Sequence, residues 1–297
     1  MTDTKTNTLL LVDVQRDFHP GGSLAIPSAN EDAERIASLI QSQGKKITRI
    51  VATLDSHHKL HIAHPSFWKS GENGEKPSPF TIISADDIAQ GKWQPRLTTR
   101  LNLEELFDAT VFEKADTVMN NGTFDLTKYC LEYARRLEDK GRFQICIWPE
   151  HCLMGSEGHC VVPCVRQAMD EWSDLTGGSV EWVMKGENLL TEMYSALAAD
   201  VPVSKDTALN SKLHQSLVDQ SDCLLVCGQA MSHCVNYTVR DIVEHCTNSQ
   251  DISKIYLLTD CASAVPGFEA AAETFQSDMK EAGVQLIPSS SVEGVLL

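Results

Sequence analysis

Basic residues are in short supply. The chain carries 25 Lys and Arg against 41 Asp and Glu, a formal net charge of −16. A surface of that sign repels phosphate backbones and anionic headgroups, so neither nucleic acid nor membrane is expected as a partner. No apolar run is long enough to span a bilayer. The polar start "MTDTKTNT" leads straight into "LLLVDV" without the pattern of a secretory signal, so a cytoplasmic location is expected. Also missing are the paired short cysteine spacings of a zinc knuckle: Cys160/Cys164 and Cys223/Cys227 are i,i+4 pairs. Most of the ten cysteines, such as Cys130, Cys146, Cys223 and Cys246, sit in apolar strand or helix patterns and read as buried free thiols. Internal repeats and low-complexity tracts are absent.

What is present is a 297-residue chain, 42% hydrophobic and 22% charged, ample for one large core. Short apolar runs alternate with helical patterns. Strands are predicted at 8–14, 47–55, 143–149, 180–186, 223–228, 254–260 and 284–288. Helices are predicted at 29–43, 125–140, 160–172, 207–218, 233–246 and 268–282. This alternation implies right-handed βαβ units: a three-layer, doubly wound, mostly parallel sheet with helices on both faces. The whole chain reads as a single domain. Its irregular stretch, rich in Pro, Gly, Ser and Asn, is too long for an ordinary loop and is expected to be an insertion capping something.

In open α/β sheets ligands bind beyond the carboxyl ends of the strands. There the sequence puts Asp13 in "VDVQRDF", Asp55 and four histidines in "LDSHHKLHIAH", His151 in "WPEHC", Lys185 in "MKG" and Cys234 in "CGQAMSHC". Singly, each has a bland reading as a cap, a solvated charge or a core thiol. Jointly, on one edge, they form a site. A cysteine in the first turn of a helix is poised for ionisation by the helix dipole, and a nearby ammonium would lower its pKa further. Cys234 is therefore expected to be the first of the ten cysteines to be alkylated. A carboxylate can take the thiol proton and pass it to a leaving amine. The N–H groups of Ala230 and Cys234 can form an oxyanion hole. Asp55, His57, His151 and one of His61 or His64 suit a divalent transition metal, with zinc first and iron or manganese as alternatives.

These residues resemble the isochorismatase-like cysteine hydrolases and, within them, the nicotinamidases. The resemblance lies in "LLLVDVQRDFHPGGSLAIP", "VATLDSHH…HPSFW", "WPEHC", "MKG" with "TEMYSAL", and "VCGQAMSHCV", and covers 8–68 and 143–290. It implies the isochorismatase-like hydrolase fold, an Asp13–Lys185–Cys234 triad, and a metal held by Asp55, His57, His64 and His151. It also implies a cis Gln229–Ala230 peptide and a substrate pocket of Phe18, Trp148 and Tyr194. The expected activity is metal-assisted amide hydrolysis through a thioester on Cys234. Nicotinamide, cleaved to nicotinate and ammonia, is the leading substrate. Other amides, ureido or carbamoyl compounds, or a non-catalytic binding role are the alternatives. The resemblance further implies a homo-oligomer. The segment 69–142 falls outside it. Both its ends lie near expected metal ligands, which predicts a cap over the active-site edge. Three departures touch the pocket mouth: "SHHKLHIA" between Asp55 and His64, His159, and the length of the insert.

Overall fold

The computed structural model describes residues 5–96, 106–141 and 143–296. Its centre is a six-stranded sheet: β1 (Asn7–Val12), β2 (Arg49–Asp55), β3 (Glu181–Lys185), β4 (Cys223–Gly228), β5 (Ile255–Leu258) and β6 (Gln285–Ile287). All five pairings are parallel, and the spatial order is β6-β5-β4-β1-β2-β3. The chain grows outward from β1 in one direction and then restarts on its other side. That makes the crevice beyond β1 and β4 the switch point, where this architecture binds ligands.

Alternation along the strands builds two cores, because successive side chains point to opposite faces. Leu9 and Leu11 of β1 pack with helices α1 (Ala29–Gln43) and α3 (Pro163–Thr176). Leu10 and Val12 pack with α4 (Ser211–Asp219), α5 (Cys234–Glu244) and α6 (Glu269–Ala282) on the opposite face. The three-layer, doubly wound reading holds. β3 is an edge strand. Its Lys185 is buried, while Trp182 and Met184 are 44% and 46% exposed.

The run 143–149 departs from expectation. It does not join the main sheet. Only Ile145–Cys146 is a strand, and it pairs antiparallel with Ile82–Ile83 of the insert. The remaining insert elements share a third core with Ile62, Phe67, Ile147, Leu190, Val201 and Val203. Helix α2 (Leu126–Asp139) supplies Tyr129, Cys130, Tyr133, Ala134 and Leu137 to it. Asp125 caps this helix by accepting from the N–H groups of Thr127 and Lys128. Two tyrosines of α2 grip one strap of chain: Tyr129 donates to the Leu190 carbonyl, and Tyr133 accepts from the Glu192 N–H. Within the insert, positions 97–105 and 142 lie outside the described residues. No helix among the described residues is long and apolar enough to cross a membrane.

Candidate active site

Two neighbouring strands end on a charged pair. Asp55 and Lys185 are register partners at the ends of β2 and β3. From there the Lys185 ammonium reaches Asp13 Oδ2 at 2.9 Å, Asp55 Oδ1 at 3.0 Å, the Met193 carbonyl at 2.9 Å and Cys234 Sγ at 3.6 Å. Burial opposes the charge on this lysine, but the two carboxylates outweigh it and hold the pKa well above the ordinary value. Asp13 follows β1 in the left-handed region (φ 47°). Thr53 donates to its Oδ1 at 2.5 Å and accepts from its N–H at 3.1 Å. Desolvation raises the Asp13 pKa against the pull of Lys185, which makes it a stronger base than a free carboxylate.

Cys234 is the first residue of α5 and is 6% exposed. Here burial works against the expected ionisation. Burial pushes its thiol well up, Lys185 pulls it back only in part, and Asp13 and Asp55 push it up further. Burial thus favours the thiol over the thiolate, with the Asp13 carboxylate in the same cluster as a base. The exposed thiols are Cys160 and Cys164, while Cys234 is buried.

The turn into α5 is shaped by Gly228 (φ 121°), where an added Cβ would overlap the Val12 carbonyl. That close approach lets Gln229 donate its N–H to Val12 at 2.8 Å. The Gln229–Ala230 peptide is cis. Among the described residues, neither the Ala230 nor the Cys234 N–H has a protein acceptor. Two free amides beside a sulfur are the donors an oxyanion needs.

Asp55 also faces the histidines. Its Oδ2 lies 3.1 Å from His57 Nε2 and 3.3 Å from His151 Nε2. His151 arrives without a sheet strand beneath it. The Trp148 N–H donates to the Ala63 carbonyl, and the segment after His151 forms a parallel bridge between Leu153 and His57. The rings of His57, His64 and His151 lie 4.9–5.4 Å apart. Each turns Nδ1 to a backbone carbonyl: Gly186 for His57, Lys59 for His64 and Pro149 for His151. Such bonds fix a ring so that Nε2 is the free ligand atom. Gly186 (φ 78°) allows this, since a Cβ there would stand 2.9 Å from both Asp55 Oδ1 and the His57 ring.

Nε2 of His64 is buried with no hydrogen-bond partner, and Nε2 of His57 is buried facing the Asp55 carboxylate as an ion-pair contact. Asp55, His57 and His151 form one group able to hold a metal ion, and His57, His61 and His64 a second. The donor chemistry therefore fits a metal. Burial pulls the His57 imidazole down, yet Asp55 outweighs it and lifts the pKa to about 9; a cation in the site would take that proton's place. His61 differs from the others. Its Nε2 pairs with the Thr191 carbonyl and its Nδ1 accepts from the Ala63 N–H, so neither nitrogen is spare. His58, grouped with these histidines in the sequence, is exposed and outside the cluster.

Phe18 and Trp148 share a buried cluster with Ala230, and Tyr194 packs against it. Trp148 Nε1 donates to Tyr194 Oη at 3.1 Å. Phe18 meets the His151 ring edge-on at 5.5 Å.

Several site residues escaped the sequence reading. Gln15 clamps Asp55 by donating to its carbonyl and accepting from its N–H, both at 2.8 Å. Alternation was a usable signal here, since Asp13/Gln15 and Thr53/Asp55 are i,i+2 pairs. Glu192, buried 4.0 Å from His57 Nε2, and His233 gave no such signal.

No family model matches the chain. A nicotinamidase of Escherichia coli (strain K12) is 26% identical over 240 residues, covering 80% of this chain and 76% of that protein. A solved nicotinamidase/pyrazinamidase of Acinetobacter baumanii superposes with a TM-score of 0.60 at 20% identity, covering 98% of this chain and 100% of that one. A Pyrococcus horikoshii pyrazinamidase solved in complex with zinc gives 0.51 at 18% identity, covering 95% and 98%. At these identities the structural likenesses establish the fold.

Proposed function

We propose that this chain, nicotinamidase-like in sequence and isochorismatase-like in fold, is a metal-assisted cysteine amidohydrolase whose substrate is a small aromatic amide, nicotinamide first. One observation carries the reading. A single buried ammonium, Lys185, ties the thiol of Cys234, the carboxylate of Asp13 and the carboxylate of Asp55 into one cluster.

In this reading Asp13 accepts the Cys234 proton as the sulfur attacks the amide carbon. The negative charge that develops on the amide oxygen is met by the N–H groups of Ala230 and Cys234. Asp13 then returns the proton to the departing ammonia, which leaves a thioester on Cys234. Asp13 next takes a proton from the water that hydrolyses this thioester, and the thiol is restored. Lys185 keeps its charge throughout and restrains both carboxylates. Phe18, Trp148 and Tyr194 hold the ring and exclude water. Asp55, His57, His64 and His151 would hold a divalent metal, zinc first, which when bound supplies a Lewis-acidic anchor for an electron-pair donor. His64 is assigned over His61 because its Nε2 is free. The whole chain acts as one domain, and the insert 69–142 forms a wall beside the pocket through the grip of α2 on Leu190 and Glu192.

Ammonia release from a panel of small amides by the purified chain tests the reading. Hydrolysis of nicotinamide that disappears in Cys234→Ala is the expected result. Turnover of ureido or carbamoyl compounds alone would redirect the substrate. No turnover on any of them would mark a binding protein.

A further inference from the structure

The turn that carries the Ala230 N–H is held from outside the pocket. Gln229 is fully buried and donates its backbone N–H to the Val12 carbonyl at 2.8 Å. Beyond the next peptide, the Ala230 carbonyl accepts from the N–H groups of His233 at 3.0 Å and Val235 at 3.1 Å. Met231 donates to the Ser263 carbonyl at 2.8 Å. A single backbone bond lets a residue pivot about that bond. A second anchor, through its side chain, removes the pivot. At Gln229 such an anchor fixes where the Cα–C bond points, and with it the Ala230 N–H.

The Gln229 side chain is that anchor. Its Nε2 donates to Asp32 Oδ2 at 2.9 Å, and its Oε1 accepts the Ser263 N–H at 3.3 Å. This orientation of the amide is the one that fits, because an ionised carboxylate only accepts and a backbone N–H only donates. Asp32 belongs to α1, on the face of the sheet opposite α5, and is 3% exposed. Its Oδ1 faces Arg35 Nη1 at 3.3 Å, and Arg35 in turn donates to the Asp260 carbonyl at 2.9 Å. An apolar pair would fill the places of Asp32 and Gln229 without the cost of burying a carboxylate. The polar pair therefore points to a role beyond packing.

We infer that Asp32 is a positioning residue: acting from the far face of the sheet through the Gln229 side chain, it holds the Ala230 N–H on the oxygen of the developing tetrahedral centre. This rests on the amidase reading above. The Ala230 N–H gains most once that oxygen carries negative charge, so the influence of Asp32 belongs to the chemical step and not to the binding of the amide.

Asp32→Ala removes the acceptor and Asp32→Asn keeps one. Gln229→Met/Asp32→Leu makes both places apolar, so that neither side chain is stranded should Asp32→Ala fold poorly. The probes are nicotinamide and its aldehyde counterpart, nicotinaldehyde. Cys234 sulfur adds to the aldehyde carbon, the thiol proton passes to Asp13, and the carbonyl electron pair moves onto the oxygen, which then sits as an oxyanion before Ala230 and Cys234. Asp32→Ala should lower kcat for nicotinamide about tenfold, a fraction of what a whole oxyanion donor carries, with KM within about threefold. Nicotinaldehyde inhibition should weaken about as much as kcat. The double variant should show the same losses, and Asp32→Asn should recover most of them. A folded Asp32→Ala or double variant with wild-type kcat, a loss confined to KM, or no recovery in Asp32→Asn would overturn the inference. Spectra of 13C-labelled nicotinaldehyde separate it from the amidase reading, because the hemithioacetal carbon reports the adduct without any turnover. A wild type that forms the adduct, weakened in Asp32→Ala, yet hydrolyses no amide sinks the amidase reading and keeps Asp32 in its role. Amide hydrolysis that is unimpaired in Asp32→Ala keeps the reading and sinks the role. A wild type that neither hydrolyses amides nor forms the adduct overturns both.

Discussion

Replacing Lys185 with Met is the sharpest perturbation the site offers. Met fills much of the same length without charge. Lys185 is 2% exposed and is the ammonium that faces both Asp13, at 2.9 Å, and Asp55, at 3.0 Å. Its loss leaves two buried carboxylates against each other. Removing one partner of a buried ion pair costs about 3–5 kcal/mol. Thr53 still donates to Asp13, and His57 and His151 still face Asp55, which favours the lower end of that range. At about 2–4 °C per kcal/mol for a chain of this size, the melting temperature should fall by roughly 10 °C. Turnover should fall by about 10²–10⁴, the range for a displaced acid–base group. Thermal and chemical denaturation followed by circular dichroism read the melting temperature and the free energy, and ammonia release reads the turnover. Lys185→Met/Asp13→Asn should regain part of the stability, because one stranded charge is gone, and none of the activity. A Lys185→Met protein within about 1 kcal/mol of wild type and within tenfold in kcat would refute the account of the cluster.

The other predictions concern single groups. Cys234→Ala should abolish hydrolysis with its melting curve intact, and near-normal turnover would end the thioester route. His57→Ala and His64→Ala should release metal on elemental analysis while His61→Phe retains it, because both His61 nitrogens are already engaged; metal loss in His61→Phe alone would reverse the ligand assignment. Alkylation followed by peptide mapping should label Cys160 and Cys164 well before Cys234, since the former are exposed and the latter's thiol is pushed up by burial; rapid labelling of Cys234 would point to a thiolate. Shortening 70–85 should alter relative rates across an amide panel without abolishing them, whereas unchanged specificity would assign the insert to assembly.

Local chemistry is legible in the sequence, and chemistry assembled from distant segments is not. Helix α1 runs from 29 to 43, as its apolar spacing predicts. The switch-point crevice follows from β1 and β4 ending in Asp13 and "CGQAMSHC". The run 143–149 misleads because a short apolar strand looks the same in a central sheet as in a two-residue pairing with an insert. Spacing leaves His61 and His64 equivalent; the resemblance favours His64, and the hydrogen bonds that engage both nitrogens of His61 support the same choice. The thiol pKa needed three-dimensional knowledge too, because a helix start and a lysine argue one way while burial beside two carboxylates argues the other.

The position of β3 at the sheet's rim has a thermal consequence. Among the strands of the sheet it pairs with β2 alone, yet it carries the ammonium on which the cluster depends. Edge elements open at lower free energy than central ones. Amide protons of 181–185 should therefore exchange with solvent faster than those of β1 and β4. On heating, hydrolysis should fade several degrees before the helical signal does, because the protein would lose its working end while most of its core is still folded.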